Sequence, residues 1–220
     1  MDARRVFKPR WAVILVVVAW IPLTTGCVGF LAQIGYWTGG ANVAAEFDDL
    51  TGKRVAVVCI SDSGSFGLGT NNLFLARGVA TILEQKIEEI EMVRTDEIAD
   101  WIDRNDWDEV DFAEIGRGVE AERVVAIELS GFGLYDGQTL YKGRANMMVR
   151  VLDMEAGGKE VFRRRLDELA FPTNGGYPTT DTTESKFRRT FLKFLADNVA
   201  KFFYEYEMME DFGRDPAFLG

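Results

Sequence analysis

Histidine is absent from the 220-residue sequence, and cysteine occurs only at Cys27 and Cys59. Histidine is the commonest general base and zinc ligand, so its absence excludes a Ser-His-Asp triad and a Cys/His metal cluster. Two cysteines do not make a disulfide framework, and Cys59, in an apolar run, is expected to be a small buried hydrophobe. We therefore predict no catalytic residues, no metal site, no cofactor and no enzyme activity, with carboxylate catalysis as the remaining alternative.

Basic residues are scarce as well, with 25 Lys+Arg against 35 Asp+Glu and a net charge of −10. Without residues 1–26 the balance is 21 against 34, a net charge of −13. A surface this acidic repels phosphates, so nucleic acid is not an expected partner.

Charged residues are missing altogether between Arg10 and Glu46. A basic flank precedes the apolar run Trp11–Leu23, and small residues then lead to Cys27, which is the order of a secretory signal peptide. The basic residues are Arg4, Arg5, Lys8 and Arg10. The segment before Cys27 resembles the lipobox of bacterial lipoproteins, although Thr24 stands where leucine is usual. In that family the peptide is cut before an acylated cysteine. The resemblance thus implies a signal peptide over 1–26 and a lipid anchor at Cys27.

An uncleaved single-pass membrane helix within residues 11–37 is the alternative, because about 20 apolar residues span a bilayer. Pro22, Thr24 and Gly26 interrupt the apolar run and favour cleavage. In either case the membrane is a partner, through the lipid anchor or the helix. The lipoprotein interpretation places the protein at the cell membrane or the outer membrane, facing the periplasm.

The remaining sequence predicts an α/β domain with a mixed sheet: strand–helix–strand–helix–strand, an antiparallel meander and a long C-terminal helix. The predicted elements are strand 53–60, a helix capped by Asn71 or Asn72 and ending near Glu89, strand 91–94, a helix over 96–105, a helix capped by Asp111, strand 123–129, a hairpin turn at Asp136-Gly137, strands ending at Asp153 and spanning 159–170, and a helix over 184–209. The predicted division is a lipidated segment and linker over 27–49, one domain over 50–209 and a tail over 210–220.

This layout resembles a group of bacterial envelope domains. The strand 53–60, the capped helix and the strand 123–129 leading into a long hairpin are similar to the curli-secretion lipoprotein, to the lipoprotein activators of peptidoglycan synthases and to the amino-terminal domain of the Tol propeller protein. The resemblance implies a non-enzymatic component of envelope assembly or transport that acts by protein–protein docking. It implies no catalytic residue, and the sequence names neither the envelope partner nor the oligomeric state.

The glycine-rich segment 61–70 supports a second hypothesis, a small-ligand or nucleotide-binding envelope protein. It lies between a strand and a helix, where backbone amides and the helix dipole can hold a phosphate. The candidate ligand-binding residues are Asp62, Ser63, Gly64, Gly67, Gly69 and Thr70. Asp62-Ser63-Gly64 also resembles the aspartic protease triplet, but no matching second triplet occurs. Any ligand is expected at the carboxyl end of this first strand.

Three consecutive arginines, Arg163 to Arg165, fall in a predicted strand and must alternate between its faces. We expect them to pair with acidic neighbours and to protect an exposed sheet edge. A docking site for an acidic partner is the alternative.

Overall fold

The computed structural model describes residues 42–61, 70–105 and 111–207. Its strands are β1 (Asn42–Val43), β2 (Arg54–Ser61), β3 (Glu91–Met92), β4 (Arg123–Asp136), β5 (Leu140–Asp153), β6 (Lys159–Phe171), β7 (Tyr177–Pro178) and β8 (Tyr206–Glu207). Its helices are α1 (Thr70–Lys86), α2 (Thr95–Arg104), α3 (Phe112–Gly118) and α4 (Glu184–Ala200). The larger of two compact units holds the described residues from 44 to 206, and the smaller one holds Asn42, Val43 and Glu207.

The central sheet has the strand order β3-β2-β4-β5-β6. β2 runs parallel to β3 and to β4, whereas β4, β5 and β6 are antiparallel, with β7 added beside β5. β1 and β8 form a separate two-stranded sheet. The protein is therefore an α/β protein with a mixed sheet, and the predicted fold class is confirmed.

One face of the sheet carries the larger core, under α1 and α4. Val57, Val125 and Val149 pack there against Leu83 and Phe191, and all five side chains are buried. Successive side chains of a strand point to opposite faces of the sheet, so the residues between these ones face the other side. Along β5, Ala145, Met147, Val149 and Val151 all lie on this face and are buried in this core.

The second face of the sheet is covered by α2 and α3, but only over the amino-terminal half of β2 and β4. Ala56 and Val124 pack there against Ile98 and Ile115. The predicted helix cap is confirmed here: the Asp111 carboxylate accepts a hydrogen bond of 2.8 Å from the backbone N–H of Ala113.

Two predicted helix limits are wrong. α1 begins at Thr70, so Asn71 and Asn72 lie inside the helix; Asn72 is buried, and its side-chain amide donates to the Ser61 hydroxyl at 3.3 Å. α4 ends at Ala200 and not at Met209. The Phe202 carbonyl accepts from the backbone N–H groups of Glu46 and Phe47, at 2.9 and 3.0 Å, so it does not serve a continuing helix.

Within the described ranges, no helix combines the length and apolar character needed to cross a bilayer. The predicted signal peptide, the alternative membrane helix over 11–37 and the predicted tail over 210–220 lie outside those ranges. They remain predictions.

Candidate functional site

The connections around β2 create a crevice at the carboxyl ends of two parallel strands. The chain crosses from β2 to β3 through α1 on one face, and from β3 to β4 through α2 and α3 on the other. The strand order therefore reverses between β2 and β4. In open α/β sheets such a reversal, at the carboxyl ends of the strands, is the usual position of a ligand site.

A pocket of ≈ 310 Å³ lies at this position. Ile60 and Ser61 contribute from the end of β2, and Glu128 and Ser130 from β4. The other lining residues are Leu129, Asn146, Met147, Met148 and Arg165. The pocket thus combines aliphatic and thioether side chains with two hydroxyls, an amide and one charge of each sign.

Asn146 is held in position by the sheet edge. Its carbonyl oxygen accepts a 2.8 Å hydrogen bond from the backbone N–H of Glu168, a residue with φ of 53°. The register of β5 and β6 shifts at this point, which identifies a bulge. Because this hydrogen bond engages the carbonyl oxygen of Asn146, its NH₂ group is the part of the amide that can donate into the pocket.

The carboxylate of the pocket, Glu128, is paired within the protein. Arg150 donates to Glu128, lies 3.8 Å from Glu160 and stacks its guanidinium 5.3 Å from the ring centroid of Phe112. Planar guanidinium groups suit such combined carboxylate and aromatic contacts. Arg150 therefore compensates the charge of Glu128.

The guanidinium of the pocket, Arg165, is far more accessible. It donates from Nε to Asp167 at 2.6 Å, and its side chain is 67% exposed. Its neighbours Arg163 and Arg164 pair with Glu160 and Glu46. The prediction that the three arginines alternate between faces and pair with acidic neighbours on an edge strand is confirmed.

Cys59 and Tyr135 are among the described groups with altered pKa values, and neither lines the pocket. Burial raises the pKa of Cys59, which is 2% exposed, so it is a buried hydrophobe as predicted. A hydrogen bond to Glu184 raises the pKa of Tyr135 to about 12. Over the described part of the chain, no three His, Cys, Asp or Glu side chains are grouped so that they could hold a metal ion.

No protein-family model and no curated protein matches the sequence. Several solved structures are similar. A PelC dodecamer from Paraburkholderia phytofirmans has 9% identity and a TM-score of 0.45, over 73% of this chain and 96% of that one. Lipoprotein GNA1162 from Neisseria meningitidis has 12% identity and a TM-score of 0.43, over 67% and 97%. The LpoB C-terminal domain from Salmonella enterica has 12% identity and a TM-score of 0.35, over 56% and 89%. These similarities are too low to assign a family or a function.

Of the predicted site residues, Thr70 is the exposed first residue of α1. Asp62, Ser63, Gly64, Gly67 and Gly69 lie outside the described residues, as does Cys27. The pocket nevertheless includes Ser61, the first residue of the segment 61–70, and lies at the carboxyl end of the first long strand.

The sequence pattern does not predict that β4, β5 and β6 contribute residues to the pocket. One signal was present: Glu128 interrupts the otherwise apolar run of β4. Arg165 belongs to the arginine run for which docking to an acidic partner is the alternative interpretation, but its place in the pocket, like that of Met148, depends on the pairing register of three strands.

Proposed function

We propose that this protein is a lipid-anchored, extracytoplasmic component of the bacterial cell envelope that acts by docking to another envelope protein, without catalysis. The basic flank, the apolar run and Cys27 support the anchor. An anchor restricts the search for a partner to the membrane surface and raises the effective concentration of the two proteins relative to each other.

The observation that carries the docking proposal is the pocket on the half of the second sheet face that α2 and α3 do not cover. Ile60 and Met148 are only half-buried there, although residues of the same face nearer the strand starts are fully covered by α2 and α3. Apolar side chains left accessible among polar ones are typical of protein interaction sites.

Mass spectrometry of the intact protein from the membrane fraction tests the anchor. We expect a mass that begins at residue 27 and includes acyl chains, and its loss in Cys27→Ala. An unmodified mass that retains residues 1–26 in both proteins would contradict the lipid anchor.

Photo-crosslinking in intact cells tests the docking. Benzoylphenylalanine replaces Ser130 in the pocket and, as the control, Val161, which is exposed on β6 away from the pocket. We expect a discrete adduct with an envelope protein from position 130 alone. Absence of that adduct, or the same adduct from both positions, would contradict docking at the pocket.

The pocket also favours a second candidate function, binding of a small ligand with help from the segment 61–70. Its position at the strand reversal and its hydroxyl and amide groups support this function. A ligand that binds only the folded state raises the melting temperature. A thermal-shift screen with nucleotides should then find stabilisation in the wild type that is lost when Gly67 and Gly69 are replaced. No shift with any nucleotide would count against nucleotide binding.

A further inference from the structure

The floor of the pocket is a single row of side chains across four strands. Ile60 is opposite Glu128, Glu128 is opposite Met148, and Met148 is opposite Arg165. Residues paired in this way point to the same face of a sheet, and neighbouring strands lie about 4.8 Å apart. The row therefore alternates apolar, acidic, apolar and basic side chains over about 14 Å.

The acidic member of the row, Glu128, is 42% exposed but is already engaged within the protein. Glu128 is paired with Arg150, whose side chain is only 23% exposed and is also held by Glu160 and by the buried ring of Phe112. Removing Glu128 from this arrangement would leave a largely covered guanidinium without its main partner, which is costly. Glu128 is thus a fixed part of the pocket floor.

The basic member of the row is available to an anionic partner. The partner of Arg165 is Asp167, two residues along the same edge strand, and the side chains are 67% and 53% exposed. Exposed pairs of this kind contribute little to stability, so a second carboxylate can replace Asp167 at small cost. The guanidinium group of arginine also has N–H donors that can bind both oxygens of a carboxylate at once.

The pocket above this row has a volume of ≈ 310 Å³, and the apolar members of the row are Ile60 at one end and Met148 between the two charges. That volume is at the lower limit of sites for drug-sized ligands, about 300–1,000 Å³, and suits one large side chain. Methionine has an adaptable shape and forms favourable contacts with aromatic rings. An aromatic anchor in a pocket beside a charged pair is a common arrangement at protein interfaces.

We propose that the pocket binds a peptide segment of the partner protein, which inserts an aromatic side chain over Ile60 and Met148 and pairs a neighbouring carboxylate with Arg165. This inference rests on the docking function proposed above and specifies the chemistry of the partner.

Methyl NMR of the full chain, labelled at its Met and Ile methyl groups in detergent, tests this proposal. The probe is the acetylated, amidated peptide Ser-Asp-Phe-Asp-Ser; the matched controls are Ser-Lys-Phe-Lys-Ser and Ser-Asp-Ala-Asp-Ser. We expect saturable shifts at Met148 and Ile60 with the first peptide and weaker binding of both controls. Arg165→Gln should lower the affinity for the acidic peptide about tenfold, because a charged hydrogen-bonded pair is lost.

Arg163→Gln is the control variant, since Arg163 is exposed on the same strand and the same face but does not line the pocket. It should leave the affinity unchanged. Equal binding of the lysine peptide, equal weakening by Arg163→Gln, or no saturable shift at Met148 and Ile60 would each overturn the proposal. If the crosslinks from position 130 persist in that case, docking stands and only the proposed chemistry of the partner is wrong. If those crosslinks are absent as well, the docking function itself fails.

Discussion

The buried arginine at the start of β4 joins three separate parts of the chain. Arg123 is 4% exposed and contacts Asp49 before β2, Asp153 at the end of β5 and Glu155 in the following turn, at 2.7, 2.7 and 3.2 Å. Burial alone would lower the pKa of Arg123, but the three carboxylates outweigh it and the pKa is raised. The residues before β2 are thus fixed to the sheet by a charged group that needs these partners.

Replacement of Arg123 by alanine should destabilise the protein by about 3 kcal/mol, because it removes one side of a buried ion network and leaves three carboxylates close together. Urea denaturation of the two proteins measures the effect. Arg163→Ala removes an exposed arginine paired with Glu160 and should change the midpoint little. Equal losses in the two variants would show that burial of the pair is not what matters.

Glu155 of this network also accepts a hydrogen bond from Lys53, and we expect the carboxylates around Lys53 to make the protein less stable in acid. The Lys53 ammonium lowers the pKa of Glu155, and the Arg54 backbone N–H, together with Lys53, lowers the pKa of Glu122. Each folded-state pKa is then below the unfolded value of about 4.3, so the unfolded chain takes up protons first as pH falls. This contribution is present above that pH and is lost as pH falls through the folded-state pKa values.

Urea midpoints measured from about pH 7 to about pH 3 test this prediction. The double variant Glu122→Gln, Glu155→Gln should be less stable at neutral pH and should lose less stability on acidification than the wild type. Lys53→Met, which removes the shared donor, should also flatten the acid dependence. If the urea midpoint of the double variant fell with pH as steeply as that of the wild type, these carboxylates would not be the cause of the acid sensitivity.

At the scale of elements, the sheet and α4 meet through a strand residue without a side chain. A Cβ placed on Gly143 of β5 would lie 2.5 Å from ring atoms of Phe191, which is fully buried. The Phe191 ring also packs 5.4 Å from the Phe132 ring centroid. The close approach of helix and strand at this point therefore requires glycine.

Gly143→Ala should destabilise the protein by about 2 kcal/mol, since the added methyl group forces the core to shift. Gly133→Ala is the matched control: it is also in a long central strand, but nothing lies within 4 Å of its Cβ position. The control should stay within about 0.5 kcal/mol of the wild type. Thermal denaturation of both variants provides the comparison, and a control as damaging as Gly143→Ala would implicate strand conformation instead of packing.

The elements that could be predicted from the sequence are those defined by local patterns. The buried run of β2, the alternation of β5 and the Asp111 cap each rest on neighbouring residues. The end of α4 could not be predicted, because it depends on the Phe202 carbonyl and a segment about 155 residues earlier. The pocket was foreseeable only in position, since its residues come together through strand register.

At the scale of the whole molecule, β6 is the edge of the sheet and is the surface most at risk of self-association. Its register shifts twice against β5, and it places Arg163, Arg164 and Arg165 on alternating faces. Bulges and charged residues are the usual protection of such an edge, because an exposed strand can pair with another chain. The sequence is acidic, with a net charge of −10, yet it concentrates arginines at β6, the long edge strand of the sheet that the structure describes.

Replacement of Arg163 and Arg164 by threonine should therefore promote self-association, since it leaves the edge backbone groups in place and removes the charges beside them. Sedimentation velocity over a range of concentrations measures it, with a melting curve to verify folding because Arg164 also pairs with Glu46. The control, Lys186→Thr with Arg189→Thr, removes the same charge from exposed positions of α4. Association of the β6 variant alone would assign a protective role to its arginines. Association of both variants would point to net charge, and association of neither would mean that the bulges suffice.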